Sequence, residues 1–283
     1  MWYTRLVSIL QCSVLAISYV ASLYLRTTNH NRDDPATVKN RVVAVTFMAI
    51  VTPLSTYYFV SSSELFAQYT LWEILGIRLP GFFMAATVPL ILTMILFAGP
   101  IAIQNQNGHS DLYKEPSYWF DNLTDLLWLR DYIIAPFSEE LTFRACMLPI
   151  LIQCFRPQTA VFVSPIFFGL AHLHHMVGRI RSGVNLHTAL LISIFQLSYT
   201  TLFGAYSAYL FLRTGHFISA FLTHAFCNLM GFPDFSEVLA LREPRRSIII
   251  ATCVVGLLAW SSMLGPLTNP SWYHNSLYWK SYV

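Results

Sequence analysis

Three uncharged apolar runs dominate the first part of the chain, at residues 6–25, 42–60 and 82–103. Each is close to the ~20 residues that a helix needs to cross the hydrocarbon of a bilayer. The pattern therefore predicts three spanning helices. Asp34 followed by Pro35 is a helix start, an acid cap ahead of a proline at the first helical position, so the second helix is expected to begin before its apolar run. A polar break at 104–123 follows, and beyond it the pattern changes. The runs at 126–137, 145–155, 161–173, 186–212 and 217–230 are interleaved with charged or histidine residues, and 247–267 is uncharged again. Ionisable groups at membrane depth normally face the interior of a bundle. The expected fold is all-α and polytopic, with about eight transmembrane helices enclosing a polar intramembrane cavity.

Composition supports this reading. Hydrophobic residues make up 55% of the 283 and charged residues 11%, where about 25% charged is usual for a soluble domain. The first run is longer than the roughly 7 to 15 residues of a signal-peptide core, and Tyr24-Leu25-Arg26 is not a small-residue cleavage site, so a retained anchor is expected. Arg26, Arg32, Lys39 and Arg41 crowd the first connection while Arg5 stands alone before it, which predicts a cytosolic first loop. The net charge of +3 forms no basic stripe, which argues against nucleic acid as a partner. Cys12, Cys146, Cys154, Cys227 and Cys253 are odd in number and lie in or beside apolar runs, as small core residues do. No internal repeat is visible. A single membrane domain over 1–283 is expected, its motif-bearing core at about 124–231, with an aromatic-rich tail from Asn269 expected at the membrane interface.

Three clusters carry candidate chemistry. In Ser138-Glu139-Glu140-Leu141-Thr142-Phe143-Arg144, a helix sets Glu140 and Arg144 four apart in the favourable order for an ion pair, and turns Glu139 about 100° away. A surface helix also collects acids in its first turn, to complement the macrodipole. The apolar flanks weaken that reading here, because a second carboxylate at membrane depth costs free energy. The second cluster is Phe168-Gly169-Leu170-Ala171-His172, with His174 and His175 beyond; one histidine ending an apolar helix is often just a hydrogen-bonded interfacial residue. The third is His224 and Asn228, which share a helix face. Such residues also join membrane helices by hydrogen bonds.

Together the clusters supply a carboxylate, an imidazole, and a second imidazole with an amide. That set suits hydrolysis of an amide by water. Glu139 and His172 would orient a water and take its proton. His224 and Asn228 would donate to the developing oxyanion, where a donor is worth about 3 to 4 kcal/mol. Neither a serine elbow nor a His-Glu-x-x-His motif accompanies them.

In that order and hydropathic context, Glu139-Glu140-x-x-x-Arg144, Phe168-x-x-x-His172 and His224-x-x-x-Asn228 resemble the motifs of the type II CAAX prenyl endopeptidases, the Ras-converting enzymes. All three motifs are complete. Residues 130–148 and Asn31-Arg32-Asp33-Asp34-Pro35 resemble the eukaryotic branch. The resemblance implies an endoprotease of the endoplasmic reticulum membrane that removes the last three residues from farnesylated or geranylgeranylated CAAX proteins such as Ras and Rho GTPases. It implies that Glu139 and His172 activate water, that His224 and Asn228 form the oxyanion hole, and that no cofactor is needed. Glu140, Arg144 and Phe168 match motif positions with structural or positioning roles. Two alternatives stand beside this one. Glu139, His172 and His224 make up a two-histidine, one-glutamate ligand set, as in some zinc proteases. A non-catalytic binder of prenylated tails would have the same membrane context. A proton-coupled transporter is less well supported, because inverted halves are not visible.

Overall fold

The computed structural model describes residues 2–25 and 32–279; Arg26 and Asn31 lie outside this set, as does the end of the tail after residue 279. Among the described residues there are helices and turns but no strand. The first two helices are α1 (Trp2–Ser22) and α2 (Pro35–Val60). Asp34 caps α2 as its sequence predicts, its carboxylate accepting the Thr37 N–H at 2.9 Å, with Pro35 at the first helical position. On α1, Leu6, Leu10, Val14 and Ile17 form an exposed stripe at helical spacing, and Cys12, Leu15, Ala16 and Tyr19 are buried on the other side. An outer face this apolar suits lipid rather than water.

The run at 82–103 is not one straight rod. It forms α3 (Phe82–Leu96) and α4 (Ala98–Gln106), bent by 73° at Phe97. Pro100 explains the position of the bend, because its ring clashes with the carbonyl four residues back, at Leu96. The later long helices are α5 (Pro157–Ala171), α6 (His174–Arg181), α7 (Leu186–Thr214), α8 (Phe217–Met230) and α9 (Arg245–Leu267). Among the described residues, five spans are long and apolar enough to cross a membrane, α5 and α6 counting as one, and the bent α3–α4 pair makes six. The expectation of about eight also counted two segments that are not long, uncharged helices of this kind. One is α8, which is short, with 14 residues. The other is the central segment 126–151, which is charged and broken by π turns.

The central segment is the innermost part of the bundle: every residue from Glu140 to Leu151 is buried. Its helix is interrupted twice by wider π turns, at Arg130–Ile134 and Leu141–Cys146, with Ala135–Glu140 between them. Pro136 and Pro149 account for both. Neither can donate to the carbonyl four residues back, and each pushes that carbonyl aside. The Ala135 N–H bonds instead to Arg130 and the Met147 N–H to Thr142, each five residues back. The two acids of the first motif thus sit on a short regular stretch between two loosened turns.

The tail packs against the helices. Tyr273 and Tyr278 are buried, and Asn275 donates to the carbonyls of Leu212 and Arg213 at 2.8 and 2.9 Å. Arg78 binds the Tyr273 carbonyl at 2.7 Å and that of Gly215 at 3.1 Å, tying the tail to the end of α7. Backbone carbonyls beyond helix ends need such donors when they are buried. All five cysteines are free thiols.

Helix α9 lies directly on α3 at Gly256, where a Cβ would come within 2.5 Å of the Ile95 carbonyl oxygen. Gly256→Ala should therefore destabilise the protein by about 1–3 kcal/mol, as overpacking does. A lowered midpoint of thermal unfolding in detergent is the expected outcome; an unchanged midpoint would contradict this close packing.

Candidate active site

Glu140 is the most constrained of the motif residues. It is fully buried on the central segment, with Arg144 one turn later, equally buried. Arg144 Nη1 lies 3.0 Å from Glu140 Oε1, the ion pair that the spacing predicts. The guanidinium is held mainly by other means. Neither of its terminal nitrogens has a well-directed hydrogen bond among the described residues, and its carbon sits 4.2 Å from the centre of the Phe168 ring. That stacking gives Phe168, the first residue of the second motif, a physical role as a face for a buried cation. Phe203 adds a second ring at 5.8 Å.

Glu140 has two further partners that spacing did not reveal. Ser207 on α7 donates to Oε2 at 2.6 Å, and His224 Nδ1 on α8 lies 2.7 Å from Oε1. A carboxylate only accepts, so Nδ1 carries a proton and Nε2 is turned the other way. On that side Glu139 Oε2 lies 3.7 Å from Nε2. The two adjacent acids therefore face opposite edges of one imidazole. The free carboxylate of the sequence reading has His224 as its neighbour, across the bundle.

His172 ends α5 at the cavity. Its Nδ1 donates to the Phe168 carbonyl at 2.8 Å, leaving the Nε2 lone pair free in the neutral ring. Its ring packs edge-on against Phe168, with centroids 4.6 Å apart. Asn228, one turn after His224, donates from Nδ2 to the Asp131 carbonyl at 2.9 Å, so one of its two amide hydrogens is engaged with the first π turn. Phe203 flanks His224 at 4.7 Å between ring centroids.

Glu139, His172, His224 and Asn228 all line one cavity of about 860 Å³. Its walls are otherwise mainly apolar, from Val45, Leu96, Phe97 and Ile134 to Tyr206 and Trp260. It thus brings together all four residues expected to react. The three expected to position them lie at or behind its wall: Phe168 lines it, and Glu140 and Arg144 are beneath. The zinc alternative requires Glu139, His172 and His224 to converge. Among the described residues, no group of three or more His, Cys, Asp or Glu side chains is arranged to hold a metal ion.

Several contributors left no trace in the sequence pattern. Ser207 lies in the uncharged interior of α7, and Tyr19, on the first span, hydrogen-bonds Ser138 at 2.8 Å beside the two acids. Neither sits in a motif or beside another ionisable group.

Fold and site define a multi-pass helical membrane protein with an acid and two imidazoles in an apolar-walled cavity. Comparison with known proteins gives the family. The type II CAAX prenyl endopeptidase Rce1-like family model matches residues 122–230, which contain every motif residue named above. CAAX prenyl protease 2 of Homo sapiens is 42% identical over 274 residues, covering 94% of this chain and 83% of that protein. The proteins of the same name from Rattus norvegicus and Arabidopsis thaliana are 38% and 30% identical, each over 94% of this chain and over 82% and 90% of their own lengths. No solved structure matches significantly. The chain belongs to the type II CAAX prenyl endopeptidase family and is a peptide hydrolase.

Removing the cation from beneath the cavity tests the charge balance. Arg144→Met should cost about 3–5 kcal/mol, because it leaves a buried carboxylate short of its counter-ion. The double variant Arg144→Met/Glu140→Gln should recover much of that loss. Thermal unfolding in detergent measures both; equal losses in the two would show that the pair does not balance charge.

Proposed function

We propose that this protein removes the C-terminal tripeptide from farnesylated or geranylgeranylated CAAX proteins, such as Ras and Rho family GTPases, at the endoplasmic reticulum membrane. The carrying observation is that Glu139, His172, His224 and Asn228 line one cavity whose other walls are largely apolar. Similarity to CAAX prenyl protease 2 over nearly the whole chain supports the same substrate class. A prenylated C-terminus is already lipid-soluble, which accounts for a hydrolytic site among membrane helices.

In this mechanism a water sits between Glu139 and the free Nε2 of His172. Glu139 takes its proton as the oxygen attacks the scissile carbonyl carbon. The oxyanion accepts hydrogen bonds from His224 Nε2 and from the second amide hydrogen of Asn228. For Nε2 to donate, the His224 ring must carry both protons, and that form has a carboxylate facing each nitrogen, at 2.7 and 3.7 Å. As the C–N bond breaks, the proton held by Glu139 passes to the leaving amine. The products are a new carboxylate on the prenylated cysteine and a free tripeptide. Glu140 touches no reacting atom. It fixes the His224 ring and is itself fixed by Arg144 and Ser207.

Incubation of the purified protein with a farnesylated CAAX peptide, read by mass spectrometry, should give tripeptide release that requires the prenyl group. Glu139→Ala should lower the rate by at least ~100-fold, the lower range for a lost general base. Undiminished cleavage by that variant would remove Glu139 from its role. Metal analysis supplies the other arm: stoichiometric zinc, with activity lost to a chelator and restored by zinc, would replace the glutamate–water mechanism.

A further inference from the structure

The cavity that holds Glu139 has a second, cationic end, lined by Arg32, Arg41 and Arg130. These three arginines are not equivalent. Arg130 lies 2.8 Å from Asp33 and 2.7 Å from Asp131, and Arg32 approaches the same two carboxylates at 3.4 and 3.6 Å. Two cations thus share two anions. Arg41 has no carboxylate within 4.0 Å among the described residues. Its Nε is buried with no hydrogen-bond partner among the described residues. Its guanidinium packs against the Tyr24 ring, 5.8 Å from the centroid.

Tyr24 also links this end to the motif residues. Its ring contacts His174 at 5.8 Å, His174 contacts His175 at 3.9 Å, and His175 contacts His172 at 5.9 Å. A half-buried arginine without a counter-ion, in the wall of an apolar cavity, is costly unless an anion completes it. Its planar fork fits a carboxylate.

On the function proposed above, the substrate brings one anion of defined position. Its terminal α-carboxylate lies three residues beyond the scissile bond, about 10 Å away in an extended chain. Glu139 repels that carboxylate and Arg41 attracts it, so the charges of the cavity have a direction. We propose that Arg41 binds the substrate's C-terminal carboxylate, and thereby sets the direction in which the chain lies across Glu139 and the place at which it is cut. This inference rests on the proposed endoprotease activity.

The test compares two farnesylated CAAX peptides that differ only in ending as the free acid or as the amide. The protein should have a kcat/KM about tenfold or more higher for the acid, the range for a hydrogen-bonded charge pair. Arg41→Met should bring the acid-to-amide ratio to about one, and Arg41→Lys should keep part of the preference. A merely structural role for Arg41 would lower both rates and leave their ratio alone, and that result overturns the proposal. Equal cleavage of the two peptides by the unmodified protein overturns it too, while leaving the endoprotease reading intact. Release of tripeptide from neither peptide removes that reading and this one with it. Should Arg41→Met give no active protein, Arg41→Lys decides: an intermediate ratio supports the proposal and an unchanged ratio refutes it.

Discussion

The contact on which the rest of the site depends is that of Glu140 with Arg144 and His224. Both charged residues of the pair are fully buried, so neither is stabilised by bulk water. Taking an ion out of water costs several kcal/mol even after relaxation, and only good internal partners offset it. Glu140 meets that demand with a cation on its own segment, a hydroxyl from α7 and an imidazole from α8. Phe168 extends the arrangement to α5 by stacking on the guanidinium. One carboxylate thereby ties together four elements that hydrophobic contact alone would leave freer to slide. Lipid is as apolar as a leucine face, so such polar contacts set register in a membrane bundle.

The neighbouring acid inherits its position from this constraint. With Glu140 fixed inward, helical geometry turns Glu139 by about 100°, toward the cavity. His224, held at Nδ1 by one acid, then presents Nε2 to the other. The π turns on either side matter here. They let a proline-bearing segment keep its backbone hydrogen bonds while the short stretch between them aims two consecutive acids at one ring. A regular helix through Pro136 and Pro149 would have left two carbonyls without donors, in a place with little water to satisfy them.

What the sequence made legible was local. The Asp34 cap, the ion pair of Glu140 with Arg144 and the shared face of His224 and Asn228 all follow from spacings of a few residues, which helix geometry fixes. Contacts between distant segments were not legible. Ser207 and Tyr19 are polar residues in uncharged stretches of their helices, and nothing within a turn of either marks it as a partner of the acid motif. The packing of the tail was hidden for a related reason. Aromatic composition suits a membrane interface, but the burial of Tyr273 and Tyr278 depends on the carbonyls that Asn275 and Arg78 satisfy at the end of α7. Hydropathy registers apolar length and does not register direction. Pro100 lay in plain view inside the run at 82–103, yet its consequence is a 73° bend that an average over the run conceals.

The low dielectric that makes Glu140 so demanding also makes the cavity effective. At an effective dielectric near 20, two charges about 4 Å apart interact with about 4 kcal/mol, against about 1 kcal/mol in water. A donor aimed at a developing oxyanion gains in the same proportion, provided that it is fixed before the reaction begins. In the proposed mechanism His224 meets that condition, because Glu140 holds one edge of its ring and Phe203 packs against its face. Asn228 is fixed less completely, through one amide hydrogen on the Asp131 carbonyl at the more exposed end of the cavity. The two donors are thus unequal. The buried network stiffens His224 most, and Asn228 rests on the first π turn, the part of the central segment nearest the paired arginines and aspartates. In the proposed mechanism, a shift of that turn would therefore be felt first at Asn228.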